Sequence, residues 1–338
     1  MPEETRPIVT LLTDFGDADY YVAAVKGVLL QLAPAVTLVD VGHQVASGDV
    51  EGAAFLVAAA ARWYPAGSVH LAVVDPGVGS ERRIVVARCD GRWYVAPDNG
   101  LLTPILDDAD EVRAVEADDL FLTGPGATFH GRDRFAPVAA YLARGEDPAA
   151  LGPEIDDEIW LELPEPQRDG ERLHGRVAHV DRFGNLVTDL PSDWLADGMV
   201  VEVGGHSTGR VVQHYEQLPA GEPGVLPGSL GTLELSLDGA SLADRWKVGR
   251  GERVVVRPRA GGAATGRGSN PQEGAHAMTQ WEYKVINIRS ENYRLDPNCY
   301  TELNRLGEDG WELVGLTSVN FKTGATDNIA MVFKRPLG

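Results

Sequence analysis

Between residues 7 and 142, short β-branched runs alternate with longer stretches of helical spacing, and this alternation leaves few folds open. Ile8 to Leu12, Val36 to Val41, Val69 to Val74, Ile84 to Arg88 and Trp93 to Ala96 are near-continuous apolar runs of strand length. Tyr20 to Gln31, Val50 to Tyr64 and Phe135 to Arg144 repeat apolar residues at helical intervals, and Asp49 stands where an N-cap belongs. Strands that are apolar on both faces need cover on both faces. The spacing therefore predicts an α/β domain over residues 1–162, with a mostly parallel sheet between helices.

The texture then changes. Leu163 to Arg168 is Pro-rich and reads as a linker. After it come Leu173 to Val180, Leu186 to Leu190, Met199 to Val203, Val211 to Tyr215, Thr232 to Leu237 and Arg253 to Arg257, short strands separated by turn residues. That pattern predicts an all-β, barrel-like domain over residues 170–259. Residues 260–277 hold five Gly and five Ala without periodicity, the composition of a flexible linker. Residues 278–338 predict a small α+β unit of β-α-β-β order: Trp281 to Ile288, a helix around Tyr300 to Leu306, Trp311 to Val319 and Asn328 to Lys334. Met278 opens this unit as a start residue would, the pattern left by a natural or an engineered fusion.

Charge and cysteine content narrow the function. Of a net charge of -20, residues 1–259 carry -19, so neither a nucleic acid nor an anionic membrane surface is an expected partner. The two cysteines, Cys89 and Cys299, fall in different predicted domains, which excludes a disulfide framework and fits a reducing cytoplasm. The apolar stretch Gly52 to Tyr64 is interrupted by Arg62 and is too short to span a bilayer. Met1 to Arg6 lacks the order of a signal peptide, so a cytoplasmic location is expected.

Four constellations could carry chemistry. Asp14 follows the first strand, where α/β sheets bind ligands; it either holds a pair of ribose hydroxyls or caps the next helix. Asp75 and Arg82 lie seven residues apart in a glycine-containing loop after another strand, as catalytic partners or as a loop ion pair. His130, set between glycine, acid and base in Gly124 to Phe135, is a candidate proton carrier or a solvent-exposed imidazole. In Asp181 to Thr188, Phe183 offers a stacking face, while Asp181 and Asn185 suit the charged ends of an amino acid; Phe-Gly-Asn is also an ordinary hairpin turn. The remaining histidines show no metal-ligand spacing, and no metal is expected.

Jointly, in this order over residues 7–259, these segments resemble the S-adenosyl-L-methionine hydroxide adenosyltransferase family, relatives of the fluorinase and chlorinase. The resemblance implies an α/β domain and a β-barrel domain assembled as a homotrimer. S-adenosylmethionine would be held between the first domain of one subunit and the second domain of its neighbour, and split with water into adenosine and methionine without a cofactor. Asp75, Arg82 and His130 match the family's catalytic set, and Asp14 matches the ribose-binding residue. Asp181, Phe183 and Asn185 match contacts to the methionine portion and base, and Ser229 opens a stretch to Glu234 that resembles the adenine-holding segment. In the halogenating relatives the position of Asp75 is not acidic and His130-Gly131 is replaced by Tyr-Ser, so this chain resembles the water-using branch. The tail, through Trp281 to Val285, Leu303 to Val314 and Phe333 to Pro336, resembles a small uncharacterised domain.

In that reaction the sulfonium makes methionine a neutral leaving group at C5′, so displacement needs mainly a positioned water. Arg82 would stabilise hydroxide character, Asp75 would orient the water, and His130 would accept or relay its proton. Two alternatives stand beside this expectation: a halogenase, or a non-catalytic adenosyl-ligand sensor signalling through the tail.

Overall fold

The computed structural model describes residues 6–123, 128–196 and 198–259, and in the tail 281–291, 294–295, 305–306, 309, 311–319 and 328–336. The chain divides into two compact units, Met1–Ala263 and Ala264–Gly338.

The first unit begins with strands β1 (Ile8–Thr13), β2 (Thr37–Gly42), β3 (Val69–Val73), β4 (Ile84–Cys89), β5 (Arg92–Pro97) and β6 (Glu111–Ala114) in one sheet of order β2-β1-β3-β5-β4-β6. The pairs β1–β2, β1–β3 and β3–β5 are parallel, as the apolar runs predict, while β4 is antiparallel to both of its neighbours. The exception has a local cause: Asp90 (φ 51) and Gly91 (φ 71) form a two-residue turn, which can only return the chain antiparallel.

Helices α1 (Tyr21–Leu32) and α4 (Ala136–Ala143) share one buried cluster with the sheet. Helices α2 (Val50–Ala61) and α3 (Thr103–Leu106) flank a second cluster that includes Ala53, Val57 and Ile105. The sheet is thus covered on both faces. Asp49 caps α2, its Oδ1 accepting from the Gly52 N–H at 3.0 Å.

An antiparallel sheet follows, built of β7 (Gln167–Asp169), β8 (Arg172–Val180), β9 (Leu186–Pro191), β10 (Met199–Val203), β11 (His206–Thr208), β12 (Pro223–Pro227), β13 (Thr232–Leu237) and β14 (Arg253–Pro258). Its order is β11-β10-β14-β8-β9-β13-β12, with β7 on β8. The two ends nearly close: Val212 N–H donates to Val225 O at 3.0 Å and Val225 N–H donates to Arg210 O at 2.9 Å. Leu173, Val177, Val201, Leu233, Leu235 and Val254 fill the core under the short helix α5 (Leu242–Trp246).

Two expected elements differ. Val211 to Tyr215 is not a strand: Val211 makes a single bridge to Val225, and Tyr215–Gln217 is a 3-10 turn that delivers Leu218 to a satellite cluster with Val212 and Leu226. The predicted linker Leu163 to Arg168 overlaps β7, because Gly170 (φ 58) turns the chain into a hairpin with β8.

Helix α2 carries the α/β sheet to the barrel. Asp49 accepts from both Nη atoms of Arg250 at 2.5 and 2.7 Å, Glu51 pairs with Arg176, and the Phe55 ring stacks on His179 with centroids 4.7 Å apart.

In the second unit, β15 (Trp281–Glu291), β16 (Arg294–Leu295), β17 (Glu312–Val319) and β18 (Asn328–Pro336) form an antiparallel sheet of order β16-β15-β18-β17. Trp311 is buried between Lys284 and Arg335, whose cations lie 5.2 and 4.5 Å from its ring. Of the helix expected around Tyr300 to Leu306, Arg305 and Leu306 are helical and residues 300–304 lie outside the described residues. The expected linker 260–277 and Cys299 also lie outside them.

Candidate active site

Neighbouring parallel strands place the first group of residues at one edge of the sheet. Thr13 at the end of β1 pairs with Val73 at the end of β3, so Asp14 and Asp75 leave adjacent strands at the same carboxyl end. Asp14 does not cap a helix. Its Oδ2 accepts from the Gly48 N–H at 2.9 Å, and a Cβ added at Gly48 would lie 3.6 Å from Pro76, which brings the two loops together.

The loop after β3 folds back on itself through Val78 N–H to Asp75 O (3.2 Å) and Ser80 N–H to Gly77 O (3.0 Å), with Gly79 at φ 84. This fold lays Arg82 over Asp75. Arg82 Nε donates to both carboxylate oxygens at 2.9 Å, and Nη2 donates to Oδ2. The pair is sequestered, with side-chain exposures of 10% and 6%.

His130 opens a π turn, Gly131–Phe135, that runs into α4, and its Nδ1 lies 2.9 Å from Arg82 Nη2. Phe135 supplies a ring 5.1 Å beneath the guanidinium. Gly131 is needed for close approach, because a Cβ there would come within 3.0 Å of the Phe15 ring. Residues 124–127 of this motif lie outside the described residues.

The hydrogen-bond roles in this cluster are constrained. A guanidinium only donates, so His130 Nδ1 must accept, and the neutral ring carries its proton on Nε2. Burial, then the charges of Arg134 and Arg82, holds the imidazole pKa below its ordinary value and keeps it neutral. With Arg82 in place, His130 therefore presents an N–H and has no lone pair left to take a proton.

The barrel contributes a second group around a cleft of about 710 Å³. Asp181 organises the β8–β9 turn: Oδ1 accepts from the N–H groups of Phe183 and Asn185, and Oδ2 accepts from Asn185 Nδ2, all at 2.9 Å. Ser236 donates to Asn185 Oδ1 at 2.6 Å. The Asn185 amide is thereby locked, with one Nδ2–H and one Oδ1 lone pair left for a ligand. Phe183 is 75% exposed at the mouth of the cleft.

Ser229 lies elsewhere. It sits in the β12–β13 turn, at the other end of β13 from Ser236, and its carbonyl accepts from Arg62 Nη2 at 3.3 Å. Sequence reasoning missed Tyr215, Ser236 and Asp238 as cleft residues, because Tyr215 fell in an expected strand and the other two in an unremarkable strand end. Behind Tyr215, its hydroxyl donates to the buried Glu234. Burial and the charge of Asp181 raise the Glu234 carboxyl above its ordinary pKa, against the opposing hydrogen bond from Tyr215. Among the described residues no group of three or more His, Cys, Asp or Glu side chains is arranged to hold a metal ion, and no helix is long and apolar enough to cross a membrane.

Fold and site define the first unit as a two-part body: an α/β part with an acid–guanidinium–imidazole cluster at a strand edge, and a barrel part with an aromatic, amide-lined cleft. Comparison with known proteins makes this specific. The SAM hydroxide adenosyltransferase N-terminal domain matches residues 9–152 and the corresponding C-terminal domain matches residues 175–255; a domain of unknown function, DUF4177, matches residues 281–336. The chain is 42% identical over 262 residues to a protein of Thermus thermophilus named (R)-S-adenosyl-L-methionine hydrolase, covering 75% of this chain and 99% of the relative. It is 30% identical over 299 residues to a fluorinase of an Actinoplanes species, covering 76% of this chain and 99% of that one. A crystal structure of an uncharacterized conserved protein from Thermotoga maritima superposes with a TM-score of 0.70 at 32% identity, covering 74% of this chain and 99% of the other. The chain belongs to the SAM hydroxide adenosyltransferase family.

Proposed function

We propose that the protein hydrolyses S-adenosyl-L-methionine to adenosine and L-methionine, by in-line attack of water at C5′ of the ribose. The observation that carries this reading is the neutralised guanidinium: Asp75 occupies one edge of Arg82 and His130 accepts from it. Such a cluster has no surplus positive charge with which to draw in a halide ion, but it offers donors and an acceptor to a water molecule.

Asp75 Oδ1, which accepts one bond from Arg82, has a lone pair left to orient the water and take its proton. As the oxygen–C5′ bond forms, the C5′–sulfur bond breaks, its electron pair passes to sulfur, and methionine leaves neutral. Arg82 and the His130 Nε2–H stabilise the negative charge that builds on the attacking oxygen. The sulfonium is its own activating group, so the step needs no metal or cofactor.

The barrel cleft suits the rest of the substrate. Asn185 keeps one donor and one acceptor, the pair that reads the edge of adenine, and Phe183 offers a ring for stacking. Asp181 and Asp238 line the cleft, and among the described lining residues there is no Lys or Arg, which favours a cationic ligand. We place the ribose hydroxyls on Asp14.

No hydrogen bond, ion pair or ring contact among the described residues links the Arg82 cluster to this cleft within one chain. Exposed Tyr20, Val78 and Phe183 leave apolar surface open on both halves. Both features support a site completed between neighbouring subunits, in a homotrimer. The scarcity of cysteine, with Cys89 a buried free thiol, supports a cytoplasmic setting.

The test is incubation with S-adenosylmethionine in ¹⁸O-labelled water, followed by chromatography and mass analysis. The expected products are methionine and adenosine labelled in its 5′-hydroxyl. Bound ligand without turnover would refute the enzyme and leave a sensor, and 5′-halogenated adenosine formed with added chloride or fluoride would assign the halogenase.

A further inference from the structure

The outer face of β13 carries two polar side chains that each hold a cleft residue. Leu233, Leu235 and Leu237 point into the barrel core, so by the two-residue period of a strand Glu234 and Ser236 share the opposite face. Ser236 fixes Asn185. Glu234, only 6% exposed, accepts the Tyr215 hydroxyl at 2.5 Å.

A buried carboxylate is costly, and here it is spent on one aromatic ring that is itself half exposed, at 49%. Tyr215 starts a 3-10 turn after an irregular stretch whose only bridge is at Val211, so no ladder of backbone bonds holds its ring. Gly228 makes room for the acid, since a Cβ there would lie 3.3 Å from Glu234 Oε2.

We propose that Glu234 is a positioning residue for nucleoside binding: it anchors the Tyr215 hydroxyl and so fixes the ring in the cleft wall that receives the adenosyl group. This rests on the hydrolase reading for the identity of the ligand. Glu234 touches no reacting atom, so it governs affinity and not the chemical step.

The experiment compares full-length wild type with Tyr215→Phe, Glu234→Leu, Glu234→Gln and the Tyr215→Phe/Glu234→Leu double variant. Adenosine affinity is read by calorimetry, and KM and kcat are read with S-adenosylmethionine. Tyr215→Phe and Glu234→Leu are each expected to weaken adenosine binding and raise KM about tenfold, the worth of one buried hydrogen bond, with kcat within about twofold. The double variant should be no worse than either single one, because both remove the same contact. Glu234→Gln should recover most of the loss, since its amide oxygen accepts the same hydroxyl.

Multiplied effects in the double variant, or a folded Glu234→Leu protein that binds adenosine normally, would overturn the proposal. If Glu234→Leu does not fold, Tyr215→Phe decides: an unchanged adenosine affinity sinks the idea. Adenosine binding that follows the expected pattern while even wild type lacks turnover would retain the cleft assignment and reject the hydrolase.

Discussion

Asp75→Asn is the substitution that most directly probes the chemistry. The side chain keeps its shape, but one acceptor oxygen becomes an NH₂ group facing the N–H donors of Arg82, which now direct three contacts at the carboxylate. Because both partners are buried, removing one charge strands the other, at a cost of about 3–5 kcal/mol. At roughly 2–4 °C per kcal/mol for a unit of this size, the melting temperature should fall by about 6–20 °C. Loss of the proton acceptor should also lower kcat by about 10² to 10⁴-fold, with KM little changed because the barrel cleft is untouched. Both quantities are measurable on one preparation, by calorimetry and by chromatographic assay of adenosine below the new melting point. A folded variant that forms adenosine within about threefold of the parent would reduce Asp75 to a counter-ion. So would a His130→Gln enzyme that is more damaged than Asp75→Asn and has lost a pH-rate limb below neutrality, which would make the imidazole the base.

Two further outcomes are expected. Gly184→Ala should abolish tight adenosine binding: the residue has φ 83, and a Cβ there would sit 2.1 Å from Ser241 Oγ and 2.7 Å from the Ser241 Cα, forcing the cleft rim to move; calorimetry showing parental affinity would contradict the geometry. His70, pushed down to about 4 by burial and then by Arg92, should make stability pH-dependent. Below pH 6.5 the unfolded chain takes up a proton that the folded one refuses. Stability is therefore greatest above 6.5 and falls towards pH 4, by on the order of 3 kcal/mol from this group. Urea unfolding of wild type and His70→Phe at pH 7 and 4.5 checks this, and identical pH dependence in the two would refute it.

The legible part of the molecule was local. The five apolar runs of the first domain are strands, and Asp49 caps α2, because burial periodicity and a side chain reaching three residues ahead are properties of short segments. The Asp75–Arg82 pair was visible for the same reason: a glycine-containing loop can bring together two residues seven positions apart. Short pairings whose partners are distant were not visible. β11, with three residues, is too short to show a pattern, β12 begins and ends on Pro, and the closing bridge at Val211 depends on Val225, so a stretch with strand composition became a turn.

The candidate active site divides along the same line. Residue types and motif order determined which side chains deserved attention, and family membership follows from that order. The tertiary structure decided what those side chains can do. It joined Arg82 to His130 across 48 residues, making the imidazole a donor where the sequence allowed an acid, a base or a bystander. It joined Asn185 to Ser236 across 51 residues and Tyr215 to Glu234 across 19, contacts set by strand order in the barrel. Periodicity and short loops are written in neighbouring residues. A hydrogen bond's direction and a buried charge's partner are settled only when distant segments pack together and exclude water.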